Sequence, residues 1–273
     1  MMLMRQSIAC LLICVCCIST PQLYSQPLDE VAPKYTLKDR QVLPYPSIRE
    51  ADILWEKRIW REIDTRQTMN HPFRYPEAPL VNVLIEGIRE GAIKAYSPED
   101  DKFSFEMPAD ELASTISQSD TVQVMDPETY EITYELVEDD LNPEDIVKYR
   151  IKEVWFFDTR YSTLRVRILG IAPIKKVVDD NGNFRYEKPL FWIYYPHCRE
   201  YLAHQRVFTT GNDGAALSWE DHLERRFFDS YIVKESNVHD RRIADYATGR
   251  EALLESDNIK KEIFNYEHDL WSY

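Results

Sequence analysis

His197, Cys198 and His204 are the residues of this chain whose types and proximity could do chemistry together. A thiol beside an imidazole is the start of a nucleophile–base pair, and two imidazoles with a thiolate are three of the four ligands zinc usually takes. The spacing argues against both. His197 and His204 lie seven apart, no second Cys or nearby carboxylate pattern completes a zinc set, and no third group is indicated that would orient a base. A lone Cys is more often a small buried hydrophobe. The 47 acidic residues offer many carboxylate pairs for glycoside hydrolysis, but the separation that matters is spatial, so abundance is no evidence. Nucleophile elbows, His-Glu-x-x-His, phosphate loops and Ser-x-x-Lys are absent, and seven glycines leave little material for a phosphate cradle. No catalytic, cofactor-binding or metal-ligating residue is therefore assigned. Two alternatives stand beside that reading: a secreted enzyme using Cys198 or a carboxylate pair, and a carbohydrate-binding module using Trp192 or Trp219, although both tryptophans sit on apolar rows suited to a core.

Any such group would have to be placed by Ile151–Tyr195, where the apolar pattern reads as three successive strands. Eleven of the 34 aromatic residues fall between Ile151 and Tyr201. The first strand runs through Val154, Trp155, Phe156 and Phe157; in the second, Leu164, Val166, Ile168, Ala172 and Ile174 share one face at period two, with Arg165, Arg167, Leu169 and Ile171 on the other. The turn Asp179-Asp180-Asn181-Gly182-Asn183 reverses the chain into Phe184–Tyr195, which makes the pairing antiparallel.

On the N-terminal side, Ser47 and Glu50 form a capping-box pattern, and Ala51, Trp55, Ile59 and Ile63 follow at four-residue spacing, which predicts a helix with Ile53 and Trp60 off its stripe. A second helix is expected over Leu80, Leu84 and Ile88, where Gly87 and Gly91 allow close approach of another backbone, and a short one over Pro108–Ser117. Thr121–Met125 and Tyr130–Val137 read as a hairpin, with Tyr130, Ile132, Tyr134 and Leu136 on one face. Beyond the central strands, Pro196–His204 fits a short helix. Ser218 and Asp221 cap another that carries Trp219, Leu223, Phe227 and Tyr231 in one row, and a terminal helix beginning near Ser256 carries Ile259, Ile263, Tyr266 and Leu270. The fold class expected is α+β, a mainly antiparallel sheet centred on residues 151–195 and covered by N- and C-terminal helices.

Residues 1–25 read as a secretory signal, with Arg5 before the apolar run Ile8–Ile18, which is too short to span a bilayer. Cleavage after Ser25 removes four of the five cysteines; the bulky residues before Cys14 and Cys17 make a poor lipoprotein signal, so a soluble product is preferred to a lipidated one. The leader carries one cation and no acid, so the net charge moves from −14 to −15, which argues against nucleic acid or an anionic membrane as main partner. Residues 26–46, with Pro27, Pro33, Pro44 and Pro46, read as an extended arm, and 47–273 as one α+β domain. Tyr35, Leu37, Leu43 and Tyr45 on that arm, and Trp60, are the candidate partner-docking residues.

Seven strings carry a resemblance: Leu54–Asp64 (LWEKRIWREID), Met69–Pro72, Val154–Asp158, Ile168–Pro173, Pro189–Pro196 (PLFWIYYP), Arg226–Asn237 (RFFDSYIVKESN) and Glu267–Trp271. Over most of the chain after Ser47 they are similar to the GldN/PorN gliding-motility and secretion proteins of Bacteroidota; the arm and Glu99–Asp145 match less clearly. The resemblance implies a non-enzymatic subunit of the type IX secretion system, in the periplasm at the inner face of the outer membrane. It further implies self-association in a ring with a GldK/PorK-like lipoprotein, contact with a GldM/PorM-like shaft, and no cofactor.

Overall fold

Ile53–Asp64, expected as the first helix, is a strand, β1, entered through a single 3-10 turn at Glu50–Asp52. Four is a multiple of two, so Trp55, Ile59 and Ile63 fall on one face of a strand as readily as on one face of a helix. The intervening positions of that face, Lys57 and Arg61, hide the alternation because their charges are paired within the fold, with Glu235 at 2.7 Å and with Glu153 at 3.3 Å. The computed structural model describes residues 37–116, 118–125, 132–139, 141–179, 183–209 and 217–270.

β1 pairs antiparallel along its length with β5 (Ile146–Asp158), from Ile53 opposite Asp158 to Asp64 opposite Lys148. β5 pairs with β6 (Thr163–Val178), and β6 with both β7 (Phe184–Pro189) and β8 (Trp192–Tyr194). A two-residue strand β2 (Ala95–Tyr96) lies beyond β8, and β9 (Tyr231–Glu235) flanks β1, giving a seven-stranded sheet in the order β2-β8-β6-β5-β1-β9 with β7 beside β6. The third central strand is thus two, divided at Leu190-Phe191, and the helix begins at Tyr195. The strands Gln118–Met125 (β3) and Ile132–Asp139 (β4) pair only with each other, so the expected hairpin stands apart from the main sheet; its turn and Tyr130 lie outside the described residues.

A β-bulge changes the reading of β6. Lys152 is opposite Gly170 but Glu153 is opposite Ile168, which leaves Leu169 as an extra residue. The bulge shifts the side-chain alternation by one. Leu164, Ile168 and Ile171 therefore pack toward the helices, while Ala172 joins the opposite face, and the period-two row expected from Leu164 to Ile174 is broken in the middle.

Three helices complete the main core: α1 (Leu80–Arg89), α3 (Tyr195–His204) and α4 (Trp219–Glu224), with the short α2 (Ala109–Ile116) adding Leu112 and Ile116. They bury Phe73, Leu84, Tyr149, Ile151, Ile171 and Trp219 against the sheet. The last helix, α5 (Arg250–Leu270), starts six residues before the expected Ser256 and covers Ile59 and Ile232 with Ile259 and Ile263. Ile59 and Ile63 share a strand face, so α5 and the other helices cover one side of the sheet. The row from Trp219 to Tyr231 does not form one helix. α4 ends at Glu224, Arg226 takes the left-handed region at φ 56°, Phe227 is exposed and Tyr231 opens β9. In α1, a Cβ on Gly87 would stand 2.7 Å from Ile93 Cδ1 and 2.8 Å from Tyr201 Cε1, so the close neighbours there are side chains.

Candidate partner-docking surfaces

The arm from Leu37 to Arg49 is fastened to its own domain by charge. Arg40 spreads both terminal nitrogens over the Asp221 carboxylate, Nη2 at 2.5 Å from Oδ1, and also lies 3.6 Å from Glu220. Asp221 is in place because it is the third residue of α4. Its carboxylate accepts from the Ser218 backbone N–H at 3.4 Å and its own backbone N–H donates to Ser218 Oγ at 3.1 Å, which is the capping box expected from the sequence, and the Ser218 hydroxyl lies 3.1 Å from the same carboxylate oxygen. Burial alone would raise the Asp221 carboxyl; hydrogen bonds from Arg40 and Ser218 hold it below the usual carboxylate range.

Arg199 of α3 is the second fastening. It donates to the Leu43 carbonyl at 3.0 Å and to Glu220 at 2.7 Å, and its guanidinium lies 4.1 Å from the centre of the Tyr45 ring. Arg167 of β6 is 4.9 Å from the same ring and donates to the Pro46 carbonyl at 2.7 Å, while Arg160 reaches the Ser47 carbonyl at 3.0 Å. The Tyr45 hydroxyl donates to Glu224; burial, then this carboxylate, raises its pKa. An aromatic ring with two guanidiniums against it, in a partly desolvated place, gains from cation–π attraction as well as from the hydrogen bond.

The arm residues singled out in the sequence therefore part company. Tyr45 is half-buried in its own domain, Leu37 is partly covered, and Leu43 is 83% exposed although its carbonyl is held. Tyr35 lies outside the described residues. The sequence did not single out Arg40, Arg160, Arg167 or Arg199; no local signal marks them, since Arg40 and Asp221 are 181 residues apart.

Trp60 is 7% exposed and lies on the sheet face turned away from the helices, beside Ala172 and Trp192. It forms the floor of an open groove of about 920 Å³. Lys152 and Lys234 stand 5.4 and 4.6 Å from its ring centre. Phe103, at φ 60°, folds over Gly170, where a Cβ would come within 2.5 Å of its ring. Lys152 donates to the Asp101 carbonyl at 2.6 Å, and burial lowers its pKa despite the Asp101 carboxylate. The groove carries mixed charge over an aromatic base.

Cys198 is buried, its thiol donates to the Tyr194 carbonyl at 3.2 Å, and burial pushes its pKa up to about 12. His197 packs on Tyr194 and His204 contacts the Glu200 carbonyl, so neither imidazole meets the thiol as a base. Among the described residues no group of three or more His, Cys, Asp or Glu is placed to hold a metal. Trp192 and Trp219, the tryptophans considered for sugar stacking, are 3% and 0% exposed. Among the described residues no helix is long and apolar enough to cross a membrane.

A family model described as the gliding motility associated protein GldN matches residues 48–272. No curated protein matches the chain.

Proposed function

This chain belongs to the GldN family of gliding-motility-associated proteins, and from that premise we propose that it is a non-enzymatic structural subunit of the type IX secretion system. It sits in the periplasm at the inner face of the outer membrane, forms a ring with a GldK/PorK-like lipoprotein, and contacts a GldM/PorM-like shaft. Its work is mechanical coupling.

The observation that carries this reading is the extent of the family match, which takes in the whole described domain after the arm. Two surfaces support a role in assembly. β7 pairs with β6 alone among the described residues and exposes Phe184 and Tyr186, at 58% and 49%, on an open strand edge of the kind that pairs with another chain. Leu43 is presented to solvent on an arm whose backbone is held still, which lowers the entropy cost of docking it.

The test is the native mass of the protein purified alone and co-expressed with its candidate lipoprotein partner. A stable heteromeric complex growing to a ring is expected. A monomer indifferent to the lipoprotein, together with unimpaired secretion after deletion, would overturn the proposal.

A further inference from the structure

On the helix-covered side of the sheet a separate cavity of about 220 Å³ opens between β1, β5, the loop after α4 and α5. Arg61, Arg226 and Lys260 bring three cations to it. Beneath them lies one carboxylate, Glu153, with no exposed surface. Glu153 accepts from Arg226 Nη1 at 2.8 Å and from the Trp155 indole N–H at 2.9 Å, and its Oε2 is 3.3 Å from Arg61 Nε.

That single buried carboxylate leaves Arg61 short of partners. The Arg61 side chain is 7% exposed, yet its one side-chain hydrogen bond among the described residues is a long one, 3.3 Å to Ser230 Oγ, and Nε makes none. A guanidinium has five N–H donors, and burying one of them, here Nε, without a well-aligned acceptor is costly. Burial first, and the neighbouring Arg226 guanidinium as well, push the Arg61 pKa down against the pull of Glu153. Arg226 is itself held at φ 56°, a backbone conformation that places its guanidinium over Trp155 and Phe228, 5.5 and 5.3 Å from the ring centres. Lys260 has no ion-pair partner among the described residues.

We infer that this cavity binds a carboxylate carried on an apolar body the size of one side chain, either the free end of a polypeptide or a small organic acid. The three cations face Glu153 below and Asp229 at the rim, which leaves one positive charge in excess and so suits a monoanion better than a phosphate dianion. A guanidinium fork matches a carboxylate in two-point geometry. Apart from Ser230, the rest of the wall is aromatic or apolar, Trp155 and Phe228 with Ile263 and Phe264 of α5, and would be wasted on a hydrated inorganic ion. The volume lies below the roughly 300–1,000 Å³ of sites for larger ligands, so a single side chain fills it.

The test is calorimetric titration of the full chain with four probes: N-acetyl-phenylalanine, its amide, a hexapeptide ending in a free phenylalanine carboxylate, and inorganic phosphate. At least one of the two carboxylates is expected to bind and the amide and phosphate not to; which carboxylate binds more tightly distinguishes a chain end from a free acid. Lys260→Glu, on the exposed side of α5, leaves the unfolding midpoint of the free protein unchanged and weakens the carboxylate by about tenfold or more, the loss of one charge-assisted contact. Arg61→Lys, which keeps the charge but not the fork, weakens it as well. Equal binding of the amide, phosphate binding as tight as the carboxylate, no binding by any probe, or carboxylate binding indifferent to Lys260→Glu would each overturn the assignment.

Discussion

His222 should make this protein lose stability in mild acid. The imidazole is 4% exposed, packed among Phe73, Trp219 and Phe227 at ring separations of 5.3, 5.6 and 6.2 Å, and neither ring nitrogen meets a hydrogen-bond partner among the described residues. Burial alone lowers its pKa from 6.5 to about 4. Between those values the unfolded chain binds the more protons, so the stability that neutral His222 contributes is complete above the unfolded pKa and is lost as pH falls toward the folded one. At about pH 5 the unfolded imidazole is almost fully protonated and the folded one almost not at all, a difference of about 2 kcal/mol, against a few tenths at about pH 7. Urea unfolding of the wild type and of His222→Leu at both pH values isolates the effect. Leu is close to His in size, puts no polar atom among the three rings, and does not titrate, so the variant should lose about 2 kcal/mol less than the wild type on acidification. Carboxylates held low by partners, such as Asp221 and Glu62, titrate in both chains and cancel in the comparison. Equal losses in the two proteins would refute the reasoning and place the imidazole in contact with water.

The arm fastening predicts that Asp221→Asn loosens Arg40: trypsin cleavage after Arg40 should accelerate several-fold and stability fall by about 2 kcal/mol, the combined loss of a cap and a charge-assisted pair. Ser218→Ala, which damages the cap but leaves Arg40 its carboxylate, should lower stability without speeding that cleavage. Gly170→Ala should cost about 1–3 kcal/mol by overpacking, because the new methyl meets the Phe103 ring, and in a Phe103→Ala background most of that cost should vanish in equilibrium unfolding. In a form lacking residues 1–25, Cys198 is the one remaining thiol; an aromatic disulfide reagent should leave it unlabelled in the native protein and label it fully in denaturant, and rapid native labelling would contradict its burial.

Much of the secondary structure was legible where a signal is local. The Ser218/Asp221 capping box, the apolar stripe of α1 and the antiparallel pairing of β6 with β7 all follow from residues a few positions apart. Two readings failed for different reasons. Spacing of four is satisfied by a helix and by one face of a strand, so Trp55, Ile59 and Ile63 in β1 could not be told apart from a helix by period alone, whereas the row from Trp219 to Tyr231 begins as a helix and is cut short where Arg226 turns left-handed. β-branched and aromatic enrichment in Ile53–Asp64 was the available counter-signal. The bulge at Leu169 left no mark in the pattern, because both faces of β6 are apolar on its far side.

The candidate surfaces were less legible still. Trp60 was noticed as an aromatic out of register with its supposed helix, and the structure seats it on the other face of a strand. That Arg40, Tyr45 and the Leu43 carbonyl fasten the arm to α3 and α4 was not readable from its prolines. By itself, then, the amino-acid sequence determined the class of the fold and the family, through patterns that run over most of its length, and the local caps, through side chains that meet within a turn of backbone. Only the tertiary structure decided which charges meet. Arg61 with Glu153 and Arg226, and Arg40 with Asp221, are joined by strand register and helix docking, and a buried ion pair depends on the few ångströms and the loss of water that such long-range packing alone supplies.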